Sequence, residues 1–195
     1  MQFPCARTLT VSLTLAAASL PVLQARQAGS IEPPAGAGIV LQAKGDGVQI
    51  YTCAASSGTG ASGTASSGAE ASGGFKWVLT APDAKLLDAS GKAIGRHFAG
   101  PTWKLEDAAQ GPGQVQGQLM ASQPAPESGS VAWLLLRAKP GTATGSLAQV
   151  GFIRRTETHG GAAPQAGCEA AKDAGKVVRI PYRADYTFYA AAGGK

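Results

Sequence analysis

Ile39-Val40-Leu41-Gln42-Ala43-Lys44-Gly45-Asp46-Gly47-Val48-Gln49-Ile50-Tyr51-Thr52-Cys53 decides the fold class. Ile39 to Ala43 is a short apolar run. Val48 to Cys53 alternates apolar and polar residues with a period of two. Lys44-Gly45-Asp46-Gly47 between them has the composition of a tight turn. Two strand patterns on either side of a Gly-Asp-Gly predict a β-hairpin, and with it an antiparallel sheet.

The same grammar repeats along the chain. Strand patterns run over 75–80, 85–88, 93–98, 102–105, 114–119, 131–136, 150–156, 177–180 and 182–189. Turn signals separate them at Ala81-Pro82-Asp83-Ala84, Ala89 to Lys92, Gly100-Pro101, Glu106 to Gly113, Gln123 to Ser130, Lys139 to Gly145 and Glu157 to Gly167. Val131 to Leu136 is the most apolar run after the N-terminal leader and reads as a central strand. Pro181 suits an edge or a bulge. Cys168 to Gly175 is the one short helix candidate. The expectation is all-β: an antiparallel β-sandwich or barrel of about ten short strands. Strand–helix alternation, the mark of a parallel α/β sheet, is missing.

The ends and one internal tract frame this domain. Residues 1–25 carry Arg7 and then an uncharged apolar run of about 15 residues, short of the roughly 20 that a spanning helix needs. That pattern predicts a cleaved secretory signal and a secreted or periplasmic protein with no membrane span after its removal. Residues 26–38 form an extended lead-in with Pro33-Pro34, residues 39–189 a single β domain, and 190–195 a tail. Residues 54–74 are a low-complexity Ala/Ser/Gly/Thr loop. Its Gly58-Thr59-Gly60-Ala61-Ser62-Gly63 matches the dinucleotide fingerprint G-x-G-x-x-G, but no helix pattern follows to hold a pyrophosphate, so no cofactor is expected.

Composition excludes some partners. The net charge of +5 falls only by Arg7 with the leader, and the basic residues are scattered, so nucleic acid is not expected. Cys5 leaves with the leader. Cys53 and Cys168 remain as an even pair, which in an exported chain predicts a disulfide; two metal-binding thiolates are the alternative.

The chemistry-bearing residues concentrate in Gly95-Arg96-His97-Phe98-Ala99-Gly100-Pro101-Thr102-Trp103. His97 beside the Gly-Pro bend, with Trp103 as a wall, is a candidate general base, metal ligand or pH-sensitive contact; a histidine bonded to a loop carbonyl is the alternative. The candidate ligand site is His97, Gly100, Thr102 and Trp103, with Arg155. His159, in a loop before two glycines, and Asp185 are weaker candidates. A metal site would need His97, His159 and an acid such as Glu157 or Asp185 to converge, which the spacing does not demand, so none is expected. Trp77, Trp103 and Trp133 are a possible stacking platform or simply core. No Ser sits in a G-x-S-x-G elbow.

Several ordered motifs carry a family resemblance: Val48-x-x-Tyr51-x-Cys53, Trp77-x-Leu79, Gly95-x-His97-x-x-Gly100-Pro101-Thr102-Trp103, Trp133-Leu134-Leu135-Leu136, Ile153-x-Arg155, Thr158-x-Gly160-Gly161-x-x-Pro164-x-x-x-Cys168 and Pro181-Tyr182-x-Ala184-x-Tyr186-x-Phe188. Together, from about Ile31 to Tyr189, they resemble the domain-of-unknown-function 3455 family of exported bacterial and fungal proteins. The resemblance implies no agreed activity. Lys104 follows Trp103 where the family pattern has an acid. The leading expectation is a binding or envelope-associated module whose partner is a small molecule or an envelope component. The alternatives are a hydrolase or metal-dependent enzyme using His97 with a carboxylate, and a purely structural envelope protein.

Overall fold

The computed structural model describes residues 29–55 and 74–191. The expected leader of residues 1–25, residues 56–73 of the low-complexity tract with its G-x-G-x-x-G, and residues 192–195 lie outside the described residues. The described chain is all-β: β1 (Ile39–Ala55), β2 (Phe75–Leu87), β3 (Ala93–Phe98), β4 (Thr102–Leu105), β5 (Gly113–Gln123), β6 (Trp133–Ala138), β7 (Thr144–Gly145), β8 (Val150–Gly160) and β9 (Val177–Ala190). The helix candidate of residues 168–175 is one 3-10 turn, Ala171–Asp173.

The sheet order is β4-β3-β2-β1-β9-β8-β6-β5-β7, and β4 also pairs with β5. That last pairing closes an antiparallel barrel of 8 strands, with β7 as an extra strand on the free side of β5 at Gly113 and Gln114. The fold is a barrel, not a sandwich, and its strands are fewer and longer than the expected ten short ones.

The main difference lies in the opening stretch. Lys44-Gly45-Asp46-Gly47 does not turn. It runs through the middle of the 17-residue β1, paired with β2 on one side and β9 on the other. Its glycines serve close approach. A Cβ on Gly45 would lie 2.7 Å from the Tyr186 ring, and one on Gly47 would lie 2.2 Å from the Asp83 carbonyl oxygen. Gly45 and Gly47 are successive inward positions with an outward acid between them, so the period of two never breaks.

Two other expected breaks also stay extended. Ala81-Pro82-Asp83-Ala84 lies inside β2, with a bulge opposite Ile50 and Tyr51. β3 covers β2 only from Ala84 onward, so Pro82 sits where β2 has an open side and a missing N–H is tolerated. Pro181 likewise lies in β9 just past Tyr182, the last residue that β8 covers. The expected loop at residues 157–167 also begins late, because β8 continues through His159 to Gly160.

Leu86, Ile94, Leu105, Val115, Leu136, Ile153 and Phe188 fill much of the interior with hydrocarbon. Leu135, next to Leu136, points to the other side of the sheet. It pairs with Ala121 and Arg154, the positions that the lead-in meets through Gly29 and Glu32. Ile31 of the lead-in is buried there as well.

Beyond Ala84 and Tyr182, strands β2, β1 and β9 continue past the barrel as a three-stranded extension. The segment from Gly161 to Lys176 packs against it. Tyr51 Oη donates to the Gly161 carbonyl (2.7 Å), Trp77 Nε1 to the Ala166 carbonyl (3.0 Å) and Gly175 N to the Cys53 carbonyl (2.9 Å). The Cys53–Cys168 disulfide fixes this segment in place. Among the described residues no helix is long and apolar enough to cross a membrane.

Candidate functional site

The inward positions of β1, β2 and β9 near the middle of the barrel are small: Ala43, Gly45, Gly47, Ala84 and Ala184. The space they leave is taken by rings. His97 on β3 pairs across the sheet with Ala84 and with Trp103 of β4, and Tyr186 of β9 sits opposite Ala43. His97 stacks on Trp103 with centroids 4.4 Å apart and planes 9° apart. Tyr186 meets both edge-on, at 5.2 Å and 5.5 Å. Trp103 reaches Phe188 at 6.0 Å and so joins this cluster to the hydrocarbon core.

The Gly100-Pro101 bend holds the pair together. Gly100 has φ 113°, a conformation that a side chain resists, and a Cβ there would lie 2.8 Å from Thr102 Oγ1. Thr102 Oγ1 donates to the Ala99 carbonyl (2.8 Å). His97 Nδ1 lies 2.9 Å from the Thr102 carbonyl oxygen. A carbonyl only accepts, so Nδ1 carries the proton and Nε2 is left as a lone-pair acceptor.

Arg155 brings the charge. It lies on β8 between Leu134 of β6 and Tyr186 of β9, and is half-buried. Its Nε and Nη2 both donate to the Ala132 carbonyl, at 3.1 Å and 2.7 Å. Tyr182 Oη and Tyr186 Oη are 3.2 Å apart. Gln49 is buried near Tyr182: a Cβ on Gly161 would touch both residues. Neither Gln49 Oε1 nor Gln49 Nε2 has a partner, nor does Trp103 Nε1. Each such buried orphan costs about 1–3 kcal/mol unless water or a ligand meets it.

Electrostatics follows from burial. His97 is 2% exposed. Burial pushes its pKa down to about 4, and the Arg155 cation adds to this against the opposing effect of the Thr102 hydrogen bond. Burial likewise raises Tyr51, Tyr182 and Tyr186, so all three phenols are neutral at pH 7.

A pH dependence follows. Between pH 6.5 and 4 the unfolded chain binds a proton at His97 that the folded chain refuses, so stability falls as pH falls. The expected loss is roughly 3 kcal/mol by pH 4. Asp88, Asp107 and Asp173 are held below the usual carboxylate range, so the stability they add is lost from the acid end of this window downward, while the slope nearer pH 6 belongs to His97. Urea unfolding at several pH values should therefore show a marked slope in wild type and a much weaker one in His97→Gln. Equal slopes would refute the assignment.

Thus His97, Gly100, Thr102, Trp103 and Arg155 come together in and around one interior cluster. The weaker candidates do not join it. His159 is exposed on the outside of the barrel and pairs with Glu127, and Asp185 alternates outward between the inward Ala184 and Tyr186. Among the described residues no group of His, Cys, Asp and Glu is placed to hold a metal ion. The ring contacts include neither Trp77 nor Trp133, so the three tryptophans do not form one platform. Lys104 points outward and pairs with Glu106 at 3.2 Å, so this departure from the family pattern does not touch the cluster. Tyr182, Tyr186 and Gln49 escaped the sequence reading. The signal that would have found the tyrosines is the alternation Tyr182, Ala184, Tyr186, Phe188, which puts both on one face.

A family model described as "Protein of unknown function (DUF3455)" matches residues 34–190. No curated protein and no solved structure matches the chain.

Proposed function

Since the chain belongs to the DUF3455 family of proteins of unknown function, we propose from its geometry that it is an exported β-barrel binding module whose site is the cluster of His97, Trp103, Tyr186 and Arg155. Export is supported by the leader pattern of residues 1–25 and by the Cys53–Cys168 bond, which suits an oxidising compartment. One observation carries the binding reading. A barrel of this size can fill its interior with hydrocarbon, yet here part of the interior is a histidine, two phenols and a guanidinium, with Trp103 Nε1 unpartnered and the polar atoms of Gln49 unpartnered beside Tyr182 at its end. His97 meets a carbonyl, two rings and a cation there, and no carboxylate among the described residues, so the arrangement favours recognition over acid–base hydrolysis.

Native mass spectrometry of the protein purified from its own compartment tests this. A small molecule bound one to one and released on unfolding is the expected result. An empty barrel that also takes up nothing from a panel of neutral and charged small molecules would overturn the proposal.

A further inference from the structure

Four basic residues that lie far apart in the sequence are brought into one row by the register of the barrel. Arg183 of β9 pairs with Asp46 of β1, Asp46 with Lys85 of β2, Lys85 with Arg96 of β3, Arg96 with Lys104 of β4, and Lys104 with Gln114 of β5. The row faces outward, because its neighbours along the strands, Ala184, Gly45, Ala84, His97, Trp103 and Val115, are buried. Strands lie about 4.8 Å apart, so the row runs for about 19 Å around the wall from Arg183 to Lys104. Lys85, Arg96 and Lys104 are consecutive in it and exposed. Like charges set directly opposite on neighbouring strands destabilise a sheet.

A cleft of about 750 Å³ opens along the middle of this row, lined among others by Asp83, Lys85, Arg96 and Arg179. The acids of the cleft are already taken. Asp83 is held between Arg96 and Arg179 at 3.1 Å and 2.8 Å, Asp46 lies 3.5 Å from Arg183, Glu106 pairs with Lys104 and Asp107 with Lys92. Lys85 is in no ion pair among the described residues, so six cations meet four acids here and positive charge is in excess.

We propose that this row is a docking surface for an anionic polysaccharide, a chain with a carboxylate on each sugar. It lies on the outer wall and does not rest on the interior cluster. A row one residue wide on a curved wall fits a single thread. A nucleic-acid duplex presents two charged backbones, and a bilayer presents a plane that such a wall meets only in part. A single-stranded nucleic acid would call for aromatic rings on which bases stack, and the row has none. Sugars also bring hydroxyls, which the acids beside the cations can accept and which Gln114 can both accept and donate to.

Calorimetric titration of the folded protein at low salt, with polygalacturonate, neutral dextran, a thymidine oligonucleotide and phosphatidylglycerol vesicles, tests this. Polygalacturonate is expected to bind, more weakly as salt rises, and dextran not to bind. Lys85→Gln, Arg96→Gln and Lys104→Gln should each weaken it by about twofold to fivefold, and the triple variant by about tenfold or more. A control triple, Arg137→Gln with Lys139→Gln and Lys172→Gln, removes the same charge elsewhere on the surface and should bind like wild type. Near-UV circular dichroism checks that each variant is folded, and if the first triple is not, Lys85→Gln, which breaks no ion pair, decides. Equal losses in the two triples would assign the binding to net charge and overturn the surface. Dextran binding as tightly as polygalacturonate would overturn the charge argument, and tighter binding of the oligonucleotide or the vesicles would overturn the polysaccharide assignment. No binding of polygalacturonate at low salt removes the proposal and leaves the interior site to its own test.

Discussion

Replacing Cys53 and Cys168 together by alanine is expected to lower the unfolding free energy by about 4–5 kcal/mol, on the loop-closure account of cross-links. The two residues are separated by 115 positions, so the bond encloses most of the strands in one covalent loop. Much of the denatured chain's freedom is thus removed in the oxidised protein. Both residues are buried, Cys53 at 1% exposure, so alanine is the right replacement; serine would bury two new hydroxyls. Urea unfolding of the double variant, beside wild type treated with a reductant, measures the effect. The midpoint should fall strongly in both, and m should rise in the variant as its unfolded state expands. A loss under about 1 kcal/mol would mean that the hydrogen bonds of Gly175, Lys176 and Trp77 hold the 161–176 segment without the bond.

Trp103→Ala should cost about 3–5 kcal/mol, the range for removing a fully buried large aromatic. The ring is 1% exposed, is stacked on His97 and touches Tyr186 and Phe188. It also packs over Gly117, where a Cβ would lie 3.1 Å from its Cζ3. Its removal would empty the junction between the polar cluster and the hydrocarbon core. Trp103→Phe separates the contributions. It keeps a ring against His97 and deletes the buried Nε1–H that has no partner, so part of the lost packing is offset by the orphan donor it removes. Phenylalanine should therefore cost far less than alanine in chemical denaturation, and near-UV circular dichroism should keep its native form. Equal costs for the two variants would show that the indole N–H has a partner in solution, and would weaken the case for a binding site around it.

The all-β class and most strand positions were legible because strand periodicity is a local signal. Ala93 to Phe98, the Gly100-Pro101 bend and Thr102 to Leu105 stand where the pattern puts them. So does the disulfide. The errors share one cause. Gly45, Gly47 and Pro82 were read by their local habit of turning, whereas here they answer to neighbours distant in sequence. Gly45 yields to the ring of Tyr186, Gly47 to the backbone of β2, and Pro82 to an open strand side. No property of residues 39–53 alone announces the approach of Tyr186. Gly160-Gly161 misled in the same way, since β8 runs on to Gly160 and carries His159 to the outer face.

The candidate site was half legible. His97, Trp103 and the bend are contiguous, and their juxtaposition follows from one short hairpin of β3 and β4. Arg155 and the tyrosines arrive from other strands, and only closure of the barrel aims them inward. Which of the adjacent Arg154 and Arg155 faces inside is a question of register, and a shift of one residue would exchange them. The β8–β9 pairing sets Arg155 opposite Tyr186 and Arg154 opposite Thr187.

The pairing of β1 with β9 has a consequence for when this protein becomes a protein. Ile39 meets Tyr189 and Thr52 meets Val177, so the first strand waits for the last. During synthesis β1 can find β2 early, but its other side stays unoccupied until residues 177–190 have emerged. Until then the polypeptide is an unsealed curl with two sticky margins, the state most prone to stray association. Its final sealing step joins residues from opposite ends of the domain, the slow kind of encounter for a chain. Such a timetable fits the export proposed above, in which a chain stays pliable during transit and sets only on arrival.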